Sequence, residues 1–147
     1  MSKPDPQLNS TITATFTVRP NDLASAISPD PNDRFPAVFS TSRLVALMEI
    51  ASARLLEPCL SPGQLSVGVR IDVTHSAPTP EGTEVTAEAK FVGREGKLFV
   101  FEVIARDPAG EIGRARHERA IINVERLENA ARKRILEGER VPRQGEL

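Results

Sequence analysis

The 147-residue sequence predicts an α+β fold in which one long central helix is wrapped by a curved antiparallel sheet. Three observations carry that expectation. A long apolar segment at helical spacing, FSTSRLVALMEIASARLLEPCLSPG, stands in the first half of the chain. One alternating segment precedes it and four follow. The connectors between the later segments, TPEG, REG and PAGE, are short and turn-like, as antiparallel neighbours require.

The elements follow in order. Residues 1–9 are polar and punctuated by proline, and read as a flexible tail. TITATFTVRP then alternates Ile12, Ala14, Phe16 and Val18 against threonines, which is a half-buried strand, and SPDPNDRFP is an irregular loop. The helix has Ser40, Thr41 or Ser42 available as N-cap, and Pro62-Gly63 beyond its end. Leu44, Leu47, Met48, Ala51 and Leu55 form one stripe, while Val45, Ala46, Ile50 and Ala53 cover much of the rest, so burial nearly all round is expected. Four strands follow as a meander: residues 65–77, TEVTAEAKFVG, KLFVFEVIARD and IGRARHERAIINV. A short charged helix lies in NVERLENAARKRIL, and residues 137–147 read as a second flexible tail. The whole is one domain, residues 10–136, of the hot-dog type, and a sheet with a free edge is expected to pair with a second copy as a homodimer.

Composition narrows the function. Nineteen basic and 20 acidic residues leave a net charge of -1, and there is no tryptophan or tyrosine, so neither a basic face nor a stacking platform for nucleic acid is expected. No apolar run approaches the roughly 20 residues that span a bilayer. The one cysteine, Cys59, excludes an intramolecular disulfide and a multi-cysteine metal site; with no secretory pattern at the N-terminus, it fits a reducing, cytoplasmic location. It reads as a small apolar residue at a helix end, because no base is suggested beside it.

Two ionisable residues stand where apolar ones are expected. Glu49 is the one charged residue between Leu44 and Ala53 of the helix. In the third segment, counting every second residue from Leu65 through Val67, Val69, Ile71 and Val73 leads to His75, which places the imidazole on an apolar face. Buried ionisable groups are costly unless paired or hydrogen-bonded, so Glu49 and His75 are expected to partner each other, or one substrate between them. A buried ion pair that merely fixes register is the structural alternative. Small or hydroxyl residues surround the two in sequence: Thr41, Ser42, Ser52, Gly68, Thr74 and Ser76. Thr41, eight residues before Glu49, sits at the helix start, either as a cap or where free amides stabilise a developing oxyanion. Arg94, Lys97, Arg114, Arg116 and Arg119 form either a solvated face or a place for phosphates, and His117 and Arg119 share a small-residue register with Gly113, Ala115 and Ile121.

These residues match a known pattern. The T-x7-E spacing from Thr41 to Glu49, the VTHSAPTP turn and the GRARHERA segment make the stretch from about Phe35 to Arg134 resemble the fluoroacetyl-CoA thioesterase family of hot-dog proteins. The resemblance implies hydrolysis of a short acyl-CoA thioester by Thr41, Glu49 and His75. It also implies Gly68 near the thioester, Phe35 at the mouth of the acyl pocket and Arg119 on the substrate side, and a dimer with active sites near its interface; the Ser42 hydroxyl completes the expected substrate-binding set. The chain departs from the family's prototype at Asn32, at Ser42-Arg43 and at Ile50, where the prototype has Phe, Gly-Phe and an aromatic residue. These positions shape the lid and pocket, which implies a more open or more polar mouth.

The expected reaction is therefore conversion of a short-chain, or substituted acetyl, acyl-CoA to the acid and free CoA. His75 suits proton transfer, since its ordinary pKa lies near neutrality, and Glu49 acts either as nucleophile or as the base that activates water. No metal or organic cofactor is expected, coenzyme A being part of the substrate. The alternatives are a hot-dog enoyl-thioester hydratase or dehydratase, and a non-catalytic acyl-CoA binding module.

Overall fold

The computed structural model describes residues 3–140. Its main elements are strand β1 (Thr11–Thr17), helix α1 (Thr41–Leu56), strands β2 (Gln64–His75), β3 (Glu84–Glu95), β4 (Leu98–Asp107) and β5 (Gly110–Asn123), and helix α2 (Val124–Arg140). Short 3-10 turns occupy Pro20–Asp22, Ala24–Ala26 and Glu57–Cys59. The five strands form one antiparallel sheet in the order β1-β3-β4-β5-β2, and α1 packs across its inner face.

Alternation builds that face. Val85, Ala87, Ala89 and Phe91 of β3, with Phe101, Val103 and Ala105 of β4, point inward and are buried against Leu44, Leu47, Met48, Ala51 and Leu55 of α1. The alanines on β3 let the helix lie close to the sheet, while the phenylalanines fill the space beyond them. Ser40 caps α1, its hydroxyl accepting from the Arg43 amide at 3.2 Å, and Pro58 follows the last turn of the helix. The helix stops at Leu56, with the Pro62-Gly63 pair beyond its end as expected.

Three features differ from the sequence expectation. First, β3, β4 and β5 form the meander, but β2 crosses to the far edge and pairs with β5. The connector over residues 76–83 is too long for a tight hairpin, and it is anchored at Thr79, whose carbonyl accepts from the Phe39 amide and whose hydroxyl donates to Asp107. Second, the register of β2 shifts between Gly68 and Arg70, so Val69 is an extra residue and the alternation reverses there. Ser66 and Gly68 face the helix before the bulge; Ile71, Val73 and His75 face it after. Leu65 and Val69 are each 54% exposed. Third, α1 is buried along one face, not nearly all round, because five strands cover one side of it and Ile50 remains exposed.

Helix α2 carries no buried residue and runs to Arg140, beyond the expected domain end at residue 136; residues 141–147 of the expected C-terminal tail lie outside the described residues. At the other end, residues 3–9 approach the sheet through Asn9, whose amide donates to the Phe91 carbonyl at 2.8 Å, and through Asp5, which pairs with Arg94 at 3.5 Å. No described helix is long and apolar enough to cross a membrane.

Candidate active site

The ionisable residues that the sequence singles out fall into two groups along α1. At the start of the helix, Thr41 is its first residue, just after the Ser40 cap, and its Oγ1 lies 2.8 Å from Nδ1 of His75 at the end of β2. Phe39 packs edge-on against the imidazole, with ring centroids 6.5 Å apart. Nε2 of His75 is buried and, among the described residues, has no hydrogen-bond partner. Beside it lies a cavity of about 400 Å³ lined by Pro36, Val38, Thr41, His75, Ser76 and Pro78. Burial lowers the pKa of His75 from its ordinary value, with a backbone hydrogen bond at Ala77 opposing the shift. The shift favours the neutral ring, with one nitrogen engaged by Thr41 and the other buried without a partner among the described residues.

The second group lies two turns further along α1, about 12 Å of axial rise from Thr41. Glu49 does not meet His75 within this chain. Its Oε1 instead accepts from Nη1 of Arg119 at 3.0 Å. The carboxylate lies directly over Gly68: a Cβ built there would stand 2.1 Å from Oε1 and 3.2 Å from Cε1 of His117. Only glycine leaves that space. The bulge at Val69 is what turns Gly68 toward the helix.

Arg119 is held on every side. Its Nε donates to the Ser66 hydroxyl and its Nη2 to the Ser66 carbonyl, each at 3.0 Å, while Nη1 reaches both Glu49 and, at 3.1 Å, Nε2 of His117. Burial lowers the pKa of Arg119, and the Glu49 charge and hydrogen bond oppose that shift. His117, 1% exposed, sets its Nδ1 2.8 Å from the Arg70 carbonyl. The sequence placed His117 only on a small-residue face. Its period-two spacing from Arg119, opposite the lone helix carboxylate, is the signal that points to this cluster.

The remaining expected residues stand apart from both groups. Phe35 is 52% exposed and does not line the cavity, which its neighbour Pro36 does. Ser42 is exposed on the first turn, its hydroxyl 3.3 Å from that of Ser40. The five basic residues do not form one patch: Arg114 pairs with Glu111, Arg116 with Glu95 and Glu118, Arg94 with Asp5, and Arg119 is interior. Lys97 and Arg94 line a separate cavity of about 390 Å³ with Cys59 and Phe99. Burial, with Asp5 nearby, raises the Cys59 pKa, which fits an inert thiol. Among the described residues no three His, Cys, Asp or Glu side chains gather as a metal site.

A helix wrapped by a five-stranded sheet is the architecture of solved thioesterases, and the protein is a thioester hydrolase of the hot-dog fold. It is similar to a point variant of the fluoroacetyl-CoA-specific thioesterase FlK at a TM-score of 0.84 and 36% identity, covering 90% of this chain and 99% of that one. A complex of such a variant with fluoroacetate and CoA matches at a TM-score of 0.78 and 37% identity, over 82% of this chain and 98% of that one. The fluoroacetyl-CoA thioesterase of Streptantibioticus cattleyicolor is 38% identical over 128 residues, 86% of this chain and 92% of that protein. The family model described as fluoroacetyl-CoA-specific thioesterase matches residues 18–125, and the chain belongs to that family.

Proposed function

We propose that this acyl-CoA thioesterase hydrolyses a short-chain or substituted acetyl-CoA with Thr41, Glu49 and His75 as its catalytic set. The observation that carries the reading is the Thr41–His75 pair, both residues of which line a cavity of about 400 Å³ at the helix start. The C–S bond breaks and water supplies the oxygen gained by the acyl group, either by adding directly to the thioester carbonyl or by hydrolysing an acyl–Glu49 anhydride, so that the acid and the CoA thiol leave. A Thr41 hydroxyl donating to Nδ1 leaves the ring proton on Nε2; when that proton passes to the departing thiolate, Nδ1 takes the Thr41 proton and Thr41 takes one from water, so the ring stays neutral. Amides at the start of α1 stabilise the oxyanion. Glu49 supplies the nucleophile or activates the water, and Gly68 leaves room for its carboxylate. Arg119 serves the substrate side through Glu49, with which it pairs, while Phe35 and Ser42, which stand outside the cavity, take no part in this reading. The reaction needs no further cofactor, and the lone cysteine fits a cytoplasmic enzyme.

A homodimer completes this site. Strand β2 is an edge strand with Leu65 and Val69 exposed, and two such edges pairing antiparallel carry the Thr41–His75 end of one chain toward the Glu49–Gly68 region of the other. Light scattering on size exclusion should give the mass of two chains for the wild type and of one for Val69→Lys, with turnover lost in the monomer. A fully active monomer would overturn the shared site. The chemistry is tested by thiol release from fluoroacetyl-, acetyl-, propionyl- and a medium-chain acyl-CoA. Binding across the panel without free thiol would instead mark a hydratase or a binding module.

A further inference from the structure

The second histidine is buried where the mechanism above gives it nothing to do, yet both of its nitrogens are committed. A backbone carbonyl can only accept and a guanidinium can only donate. The 2.8 Å contact with the Arg70 carbonyl therefore puts the proton on Nδ1, and the 3.1 Å contact with Arg119 Nη1 makes Nε2 the acceptor. The ring is fixed as the neutral Nδ1–H tautomer. Arg119 Nη1 is shared between that ring and Glu49 Oε1, and the other two nitrogens of its fork are tied to Ser66. Glu49 in turn stands over Gly68, in a space that a single methyl group would close.

We propose that His117 is a positioning residue: its neutral ring fixes Arg119, and Arg119 aims the Glu49 carboxylate over Gly68. This rests on the reading of Glu49 as a catalytic group. Facing His117 are Arg119 and the charge of Glu118 on its own strand, Glu49 on α1, the Arg70 carbonyl on β2 and the Phe101 ring on β4, with centroids 6.4 Å apart. Protonation of Nε2 would remove the acceptor and set two cations against each other, so acid should uncouple Arg119 from the ring and release Glu49. Burial, the largest influence, holds the His117 pKa below its ordinary value, with Arg119 acting in the same direction and the Arg70 hydrogen bond and the two glutamates opposing. The arrangement is therefore intact at neutral pH.

The test begins with ring-nitrogen NMR on histidine-labelled protein at pH 7, assigned with a His75→Ala variant. A neutral Nδ1–H tautomer is expected for His117; an Nε2–H tautomer or a charged ring overturns the proposal. Kinetics add a second reading. His117→Asn keeps a donor for the Arg70 carbonyl but offers Arg119 no acceptor, whereas His117→Gln places its amide near the former Nε2. His117→Asn should lower kcat about 10- to 100-fold with KM within about 3-fold, the scale expected when a reacting group is misplaced by about 1 Å. His117→Gln should recover most of that loss, and its activity should fall less steeply below pH 6.5. Equal kcat in two folded variants, or a loss confined to KM, overturns it. A fully active Glu49→Gln enzyme would remove the role of Glu49 and with it the reason to position it. The wrong tautomer beside an inactive Glu49→Gln enzyme overturns the positioning alone.

Discussion

The two histidines of the chain lie on neighbouring strands, His75 at the end of β2 and His117 on β5 opposite Ile71, and they have opposite surroundings. His75 has one nitrogen on Thr41 and one with no partner, beside an open cavity. His117 has both nitrogens committed, to Arg70 and Arg119, inside a closed cluster. A buried polar atom left unpaired costs roughly 1–3 kcal/mol. Saturation, by contrast, marks structure that holds still. In the proposed mechanism this difference separates the reacting histidine from the positioning one.

Breaking either side of this contrast should give effects of different sizes. The largest is expected from Glu49→Gln, which keeps the shape of the side chain and removes its basicity. Turnover should fall by about 10²- to 10⁴-fold, measured as kcat for thiol release, with KM nearly unchanged. Gly68→Ala comes next. Its Cβ would meet Oε1 at 2.1 Å, so the carboxylate must swing away, and kcat should fall by about 10- to 100-fold in a protein that still melts cooperatively. Retention of full activity there would show that the position of Glu49 over the glycine is unimportant.

Stability against pH tests the two histidines as a pair. Burial lowers both pKa values from the ordinary 6.5, so the unfolded chain binds protons more readily than the folded one. Stability should therefore be full above about pH 6.5 and fall as pH drops through 6.5 toward the folded values. Urea titrations between pH 7.5 and 5.5 should show that loss, and His117→Gln should reduce it; a rise in stability over the same range would reverse the assigned protonation states. The smallest effect belongs to the helix start. Ser40→Ala removes the cap of α1 and should cost about 1 kcal/mol, read as a small fall in the urea midpoint.

Much of this was legible before any coordinates. The alternation of Val85, Ala87, Ala89 and Phe91, and the helical stripe from Leu44 to Leu55, predicted the layers because each element has one apolar period and one way to bury it. The far-edge position of β2 was not legible, since a connector of that length specifies no neighbour. Nor was the bulge. Leu65 to Val73 alternates without interruption, and the one local sign is a glycine inside a strand, which marks bulges and close backbone approaches alike. The bulge matters at the site: of the two expectations for Glu49 and His75, direct pairing is not made within this chain, where Glu49 lies opposite Gly68 and Arg119, while one substrate between them remains part of the proposed function. Thr41 and His75 were each singled out separately, but their direct contact depends on where β2 ends, which local pattern does not fix.

The most direct test of the division between the two histidines is thiol release by wild type and His75→Ala across the short acyl-CoA panel, with a protein-only blank for Cys59. A loss of about 10²-fold or more in kcat, with KM within a few-fold, is the result expected if the open nitrogen carries the proton. A His75→Ala enzyme that keeps most of its kcat would contradict the account.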